Sequence, residues 1–381
     1  MKIPFNLPYL SGNEQKYISA ALGSSSHAGN GFYGQRCIEL LKERYGFKSV
    51  FLTPSCTAAM EMGALLADLK PSDEVILPSY TFTSTANAIV LRGAKPIFCD
   101  IEESTMNIDV SLIESKITEK TKMIVPIDYA GIPCEIEPIM ALAKRYDLMV
   151  MEDAAQGLHS FYKDKPCGFL PPLAAFSFHE SKNISCGEGG ALVVNKPEFI
   201  QRARFLQEKG TDRDLVLKDQ KKKYGWVDVG SSFLLSDILA AMLLSQLENV
   251  ENIVKKRSLI TKAYSLLLTP YQEKGCLKTP KIPPDARINH HAFFVIFDLP
   301  ENREQFLILL RQKNIFAYVG YSPLHSSTYG FKLGFKPEDV PRTQDLAQRI
   351  VRLPFYTGLA DQGLDYCLEG MKSVLQTIYG F

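Results

Sequence analysis

The stretch AFSFHESKNISCGEGGA, Ala175 to Ala191, sets a single lysine, Lys182, between a short apolar run and a turn with glycines at 187, 189 and 190. A lone lysine near a strand end is usually solvated. A lysine in a dry cleft differs, because desolvation disfavours its charged form and leaves a neutral amine able to attack a carbonyl. The glycines would let backbone pass close to a ligand. Equally, they could form no more than a tight hairpin turn into the following run, ALVVN.

Working outward, short β-branched or aromatic runs recur from Ser49 to Asn195: SVFLT, EVILP, KPIFCDI, KMIVPIDYA, LMVMEDA, LAAFSF and ALVVN. Helix-like segments such as Ala58 to Asp68 and Ile136 to Tyr146 separate several of them. Alternation of this kind predicts an α/β domain with a mainly parallel, seven-stranded sheet. Most runs are apolar throughout, as strands covered on both faces are. Ligands in such sheets bind outside the carboxyl ends of the strands. From Leu234 to about Lys262, apolar residues recur at helical spacing and predict one long helix, with Ser236 or Asp237 in its first turns. The Pro-rich KTPKIPPDARINHH reads as an extended connector. Beyond it, HAFFVIFDL and NIFAYVG read as strands and NREQFLILLRQK as a helix between them. The expected division is a large domain over residues 1–250 and a small C-terminal α+β domain over 251–381.

The residues after the strand-like runs carry the chemistry. Ser55, Cys56, Thr57 and Ala58 stand where a loop enters a helix, and free N–H groups, hydroxyls and the helix dipole there make an anion site; simple N-capping by Ser55 or Thr57 is the competing explanation. Phe82 follows EVILP and is either a stacking ring or a core aromatic. Asp153 ends LMVMED, where a buried carboxylate needs a partner. Ser177, His179 and Lys182 follow in AFSFHESK. A phosphate cradle, a stacking aromatic, an Asp for a pyridinium nitrogen and a Schiff-base lysine, met in that order, are what pyridoxal 5'-phosphate needs.

The motifs PFNLPYLSGNE, LTPSCTAAMEM, SDEVILPSYTFTSTANA, VPIDYAG, VMEDAAQG, SFHESKNISCGEGGA and YSPLH together resemble the DegT/DnrJ/StrS family of sugar aminotransferases, over nearly the whole chain. The resemblance implies fold type I of the pyridoxal-phosphate enzymes, the aspartate-aminotransferase fold. It implies Lys182 as the covalent cofactor lysine, Asp153 as partner of the ring nitrogen, Gln156 at the ring hydroxyl and Phe82 stacked on the ring. Ser55, Cys56, Thr57, Ala58 and Ser177 match the phosphate region, His179 lies near the lysine, and Lys209, Tyr321 and His325 fall on the substrate side. Many members carry an Asn and an Arg in a GYNYRMS-type stretch; this chain has GSSFLLS, with Ser232 and Leu234 at those positions, so Ser232 stands where the Asn would reach a partner subunit's phosphate. The implied partners are a dTDP-linked keto sugar, L-glutamate as amino donor and a second copy of the chain, with active sites at the homodimer interface.

The bulk properties agree with such an enzyme. A net charge of +1 gives no reason to expect nucleic acid or an acidic membrane surface. The start MKIPFNLPYLSGNEQ lacks the pattern of a signal peptide, and no apolar run reaches membrane-spanning length. The 8 cysteines are scattered with no CxxC pair, which argues against a zinc ribbon or disulfide framework and fits a reducing cytoplasm. No metal is expected. A dehydratase of this family would have His in place of Lys182, and a regulator would carry an added DNA-binding segment. The competing possibility is an aminotransferase for another nucleotide-linked keto sugar. The lysine run in KDQKKKYG, Lys218 to Lys223, is either a solvated loop or a grip on the nucleotide diphosphate.

Overall fold

The computed structural model describes residues 1–381. Its centre is a seven-stranded sheet made of the expected runs: β1 (Val50–Thr53), β2 (Glu74–Pro78), β3 (Lys95–Cys99), β4 (Thr121–Ile124), β5 (Met149–Asp153), β6 (Leu173–Ser177) and β7 (Gly190–Val194). The order across the sheet is β1-β7-β6-β5-β4-β2-β3. Strands β2 to β6 pair in parallel, and β7 runs antiparallel to both neighbours. Every residue of β1, β6 and β7 is buried, which explains why these runs are apolar throughout.

The reversed strand matters for the site. Gly190, the first residue of β7, lies opposite both Thr53 and Ser177, the last residues of β1 and β6. The glycine-rich turn is thereby brought to the sheet edge where β1, β2, β5 and β6 end. Helices Cys56–Leu66 and Thr83–Val90 begin at the same edge, after β1 and β2.

The predicted single helix over Leu234 to Lys262 is instead two. Asp237–Glu248, capped by Ser236 through a bond from the Leu239 amide, ends at Asn249, and Val250–Glu273 follows. Asn249 leaves helical geometry at φ −108°, ψ 14°, and its side-chain amide donates to the Ser245 carbonyl at 2.9 Å. Apolar periodicity continues across such a break, because both helices bury the same kind of face, so the pattern alone does not reveal it.

A second, four-stranded antiparallel sheet runs in the order Leu277–Lys278, Phe294–Phe297, Ile350–Arg352, Tyr318–Val319. Its core gathers Phe293, Val295, Phe306, Leu310, Met371 and Leu375, together with Ile3 from the chain start. NIFAYVG supplies only a two-residue strand, at its far end. The Pro-rich connector is anchored to the large sheet's side of the molecule, where Ala286–Arg287 pairs with Phe161–Tyr162. No helix is long and apolar enough to cross a membrane.

Candidate active site

The strand-end edge opens into a pocket of about 440 Å³. Lys182, Asp153, Gln156, Phe82, Ser55, Cys56, Thr57, Ser177, His179 and Tyr321 all line it, so residues from five separate sequence segments meet in one cavity.

Asp153 is 5% exposed at the end of β5. Its Oδ2 accepts from Thr85 Oγ1 at 2.7 Å and its Oδ1 from the Ala155 amide at 3.2 Å. Burial pushes its carboxyl up, while those two donors and the charge of Lys182 pull it back. Thr85 in turn is 2.9 Å from Thr81 Oγ1, which locks its hydroxyl toward the acid. Gln156 is held at both ends: its Oε1 accepts from the Ala130 amide at 2.7 Å and its Nε2 donates to the Tyr321 hydroxyl at 3.1 Å.

The anion end is built from two helix starts. Ser55 caps the first, accepting from the Ala58 amide at 3.1 Å. That cap uses the Ala58 N–H, and Ala58 itself does not line the pocket. Ser55 therefore caps the helix, as the simpler explanation expects, while Thr57 faces the cavity. Thr57 Oγ1 lies 2.7 Å from Ser84 Oγ, which belongs to the first turn of the second helix. Gly190 closes this cradle from below: a Cβ there would sit 2.4 Å from the Ser55 carbonyl carbon and 2.5 Å from the Cys56 nitrogen. The glycine is required by the approach of β7 to the helix start. Gly187, by contrast, is a turn residue with φ +86° and open space around it. Burial, with Asp153 close by, raises the Cys56 thiol well above its ordinary range, so it stays protonated.

Phe82 is 58% exposed, which excludes the core-aromatic alternative; its ring centroid is 6.1 Å from that of Tyr321 across the pocket. His179 stands at the mouth, with Nδ1 2.9 Å from Ser181 Oγ and Nε2 3.6 Å from a Glu188 carboxylate oxygen. The lysine's neighbours are tied to the connector: Asn183 donates to the Asn289 carbonyl at 2.8 Å and contacts His291 Nδ1 at 2.9 Å.

Besides Ala58, three expected site residues do not line this pocket. His325 is fully buried beside the pocket, its Nδ1 2.7 Å from Ser79 Oγ and its Nε2 3.2 Å from the Pro337 carbonyl. Nδ1 fastens the YSPLH loop to Ser79, just past the end of β2, Nε2 meets the Pro337 carbonyl, and His325 does not line the pocket. Lys209 and Ser232 are exposed and outside the pocket, on a shared ribbon where the Lys209 amide donates to the Ser231 carbonyl at 3.0 Å. In the lysine run, Lys218 pairs with Asp214 and Lys221 with Asp212, both within the same ribbon.

Sequence reasoning missed Ser84, Thr85 and Arg352, which also line the pocket. The first two were visible as hydroxyls at a helix start. Arg352 stands alone in the apolar VRLPFY, and a charge within a buried strand is itself a signal, because such charges need a partner.

A carboxylate at a strand end, an amine, an exposed ring and a double helix-start cradle suit the ring nitrogen, aldehyde, ring face and phosphate of pyridoxal phosphate. A model of the DegT/DnrJ/EryC1/StrS aminotransferase family matches residues 8–372. The spore coat polysaccharide biosynthesis protein SpsC of Bacillus subtilis is 30% identical over 382 residues, covering 98% of this chain and 97% of SpsC. The putative sugar aminotransferase Spr1654 of Streptococcus pneumoniae, in its PMP form, superposes with a TM-score of 0.91 at 25% identity, covering 100% of this chain and 99% of that one. Helicobacter pylori PseC, an aminotransferase involved in pseudoaminic acid biosynthesis, superposes with a TM-score of 0.89 at 25% identity over 100% of both chains. Fold and site thus define a pyridoxal-phosphate-dependent aminotransferase of fold type I. The chain belongs to the DegT/DnrJ/EryC1/StrS family of sugar aminotransferases, whose members aminate nucleotide-linked keto sugars.

Proposed function

We propose that the protein transfers the amino group of L-glutamate to dTDP-4-keto-6-deoxy-D-glucose, giving dTDP-4-amino-4,6-dideoxy-D-galactose and 2-oxoglutarate, in the making of a surface polysaccharide of the enterobacterial common antigen or O-antigen type. The observation that carries the reaction type is the convergence of Lys182 and Asp153 in one pocket under two helix starts. Support for the particular sugar comes from SFHESKN, EKGTDR and YGWVDVGSSFLLSDILAA, which resemble dTDP-4-amino-4,6-dideoxygalactose transaminase.

When bound, pyridoxal phosphate supplies an aldehyde that exchanges amines and a protonated ring that accepts electrons released at the reacting carbon. Thr57, Ser84, Ser55 and Ser177 would hold its phosphate, with the two helix dipoles favouring the anion. Phe82 would cover one ring face, and Gln156, oriented by Ala130 and Tyr321, would reach the ring hydroxyl. Asp153 keeps a proton on the ring nitrogen; Thr85 and Ala155 hold its carboxylate in place for that bond. Lys182 anchors the cofactor between turnovers. With its Nζ free, Lys182 would take the proton from the donor α-carbon and later return one to the sugar carbon that receives nitrogen. Donor and acceptor use the same pocket in turn, so the kinetics are ping-pong. The exposed ribbon of Lys209, Ser232 and Trp226, the last 84% exposed, supports a homodimer in which this ribbon meets the partner's site.

The test is a half-reaction. The amine form of the enzyme is mixed with a panel of keto sugar nucleotides, and recovery of the aldehyde-form absorbance is followed. Fastest recovery with a 3-keto sugar, or with a GDP- or UDP-linked one, would overturn the sugar assignment.

A further inference from the structure

His291 is a buried titratable side chain that the chemistry above does not use. It stands just before the strand Phe294–Phe297 and is 5% exposed. Its backbone is held by Arg257, also buried, which donates from Nη2 to the His291 carbonyl at 2.6 Å and from Nε to the His290 carbonyl at 2.8 Å. Its ring meets Asn183, the neighbour of Lys182 in the chain, with Nδ1 2.9 Å from Oδ1. The Asn183 Nδ2 already donates to the Asn289 carbonyl at 2.8 Å, so Oδ1 is the atom turned to the ring. An amide oxygen only accepts, so Nδ1 carries the hydrogen and Nε2 keeps a lone pair. That lone pair has no hydrogen-bond partner in the protein. Burial, with Lys182, Arg257 and Arg352 close by, holds the imidazole well below its ordinary range, and so neutral.

Beside the main pocket of about 440 Å³ lies a side cavity of about 80 Å³. His291 lines only the side cavity, whereas Lys182, Ser181, Tyr321 and Arg352 border both. The substrates need the larger space, so His291 acts on them through a residue of this shared wall. Ser181 Oγ lies 2.9 Å from His179 Nδ1, and the Tyr321 hydroxyl is taken up with Gln156. Of the charges near the ring, Lys182 weighs the most. We infer that His291 is a positioning residue for Lys182: its Nε2 accepts a hydrogen bond from the free Nζ, which orients the amine and stabilises the ammonium formed when Nζ takes a proton. The imidazole itself takes no proton. The inference rests on the role given to Lys182 above. Hydrogen bonding to a charged form favours that form, so the acceptor makes Lys182 the stronger base.

The experiment compares wild type, His291→Asn and His291→Gln. Asn can still donate to Asn183 from near the Nδ1 position but offers nothing at Nε2. Gln sets its amide oxygen near the Nε2 position and gives up the bond to Asn183. In the cofactor-loaded proteins, His291→Asn is expected to slow the glutamate and keto-sugar half-reactions by the same factor, on the order of 10-fold, with both KM values within about twofold of wild type. The factor is shared because Lys182 serves both. His291→Gln should keep both rates within about threefold, since an acceptor is restored. The opposite order, with Asn active and Gln impaired, would reduce His291 to a support for Asn183 and overturns the inference. A loss confined to one half-reaction also overturns it, because Nε2 would then serve that substrate and not the lysine. In the cofactor-free proteins, acetic anhydride labelling of Lys182 is followed against pH by mass spectrometry. Asp153 and Arg352, the other charges facing Lys182, are the same in every variant. The labelling midpoint should move to lower pH in His291→Asn and stay in place in His291→Gln; an unmoved midpoint in His291→Asn overturns the inference. If Lys182→Ala, assayed alongside, kept turnover, the reading of the lysine itself would fall, while the labelling midpoints would still decide whether His291 touches the amine.

Discussion

Gln156 and Tyr321, 165 residues apart in sequence, are joined by a 3.1 Å hydrogen bond from Nε2 to the tyrosine hydroxyl. This bond ties the strand-end loop of the large sheet to the YSPLH loop leading out of the small one, and it fixes which face of the Gln156 amide the pocket sees. Tyr321→Phe keeps the ring packed on Phe82 and Tyr80 but frees that amide. The expected cost is about 1 kcal/mol in stability, read as a lower denaturant midpoint, together with weaker cofactor retention on dialysis. Unchanged retention would show that the amide is oriented by Ala130 alone.

Lys182→Ala removes the only amine in the pocket. Turnover should fall by at least about 10⁴-fold, the upper range for a lost acid–base group, and borohydride should no longer fix the cofactor to the chain. Mass spectrometry of the reduced protein checks the second point. Residual covalent attachment would place the anchor elsewhere.

Asp153→Asn keeps the shape of the site and an acceptor for Thr85, but not the charge that holds a proton on the ring nitrogen. A loss of about 10²- to 10⁴-fold in turnover is expected, with an unchanged thermal midpoint. Near-normal turnover would remove Asp153 from the chemistry.

Gly190→Ala puts a methyl group 2.4 Å from the Ser55 carbonyl carbon, where backbone, not a flexible side chain, must yield. Overpacking of this kind costs about 1–3 kcal/mol and displaces the helix start that forms the anion cradle. Both the urea midpoint and the affinity for pyridoxal phosphate should drop. Gly187→Ala strains only its own turn at φ +86° and should leave cofactor affinity intact.

Behind the site, Asp128, Glu152 and Cys167 are buried together. Burial raises both carboxyls, Glu152 the further because Asp128 faces it. The folded state therefore keeps a proton that the unfolded chain loses near its ordinary pKa of about 4. Stability is full below that value and declines as pH rises toward the folded pKa of the pair. Glu152→Gln removes one titrating group and can still accept from the Gly168 amide, as Glu152 does at 2.9 Å. Its urea midpoint should vary less from pH 4.5 upward than the wild type's; parallel slopes would refute the retained proton.

The seven strand-like runs were legible because strands covered on both faces are apolar throughout, and all seven form the sheet. Thr57, Phe82, Asp153, Ser177 and Lys182 were legible because each stands at or just past the end of such a run, where this architecture places ligands. The break at Asn249 was not legible, since a single non-helical residue leaves the apolar period intact. Which way the His325 side chain faces was not legible, because a motif's position in sequence does not say so; here its ring nitrogens meet Ser79 and the Pro337 carbonyl.

By itself, the sequence determined the strand-and-helix alternation, the chemistry-bearing residue types at strand ends and, through its motifs, the family. Only the tertiary structure decided that β7 runs backwards, which brings Gly190 beneath the helix start at Ser55. Only it brought Arg352 of the small sheet and Tyr321 of the loop leaving that sheet into one pocket with Lys182. Pairing direction and contacts between distant segments depend on how whole faces pack against one another, and no local pattern in the chain encodes that.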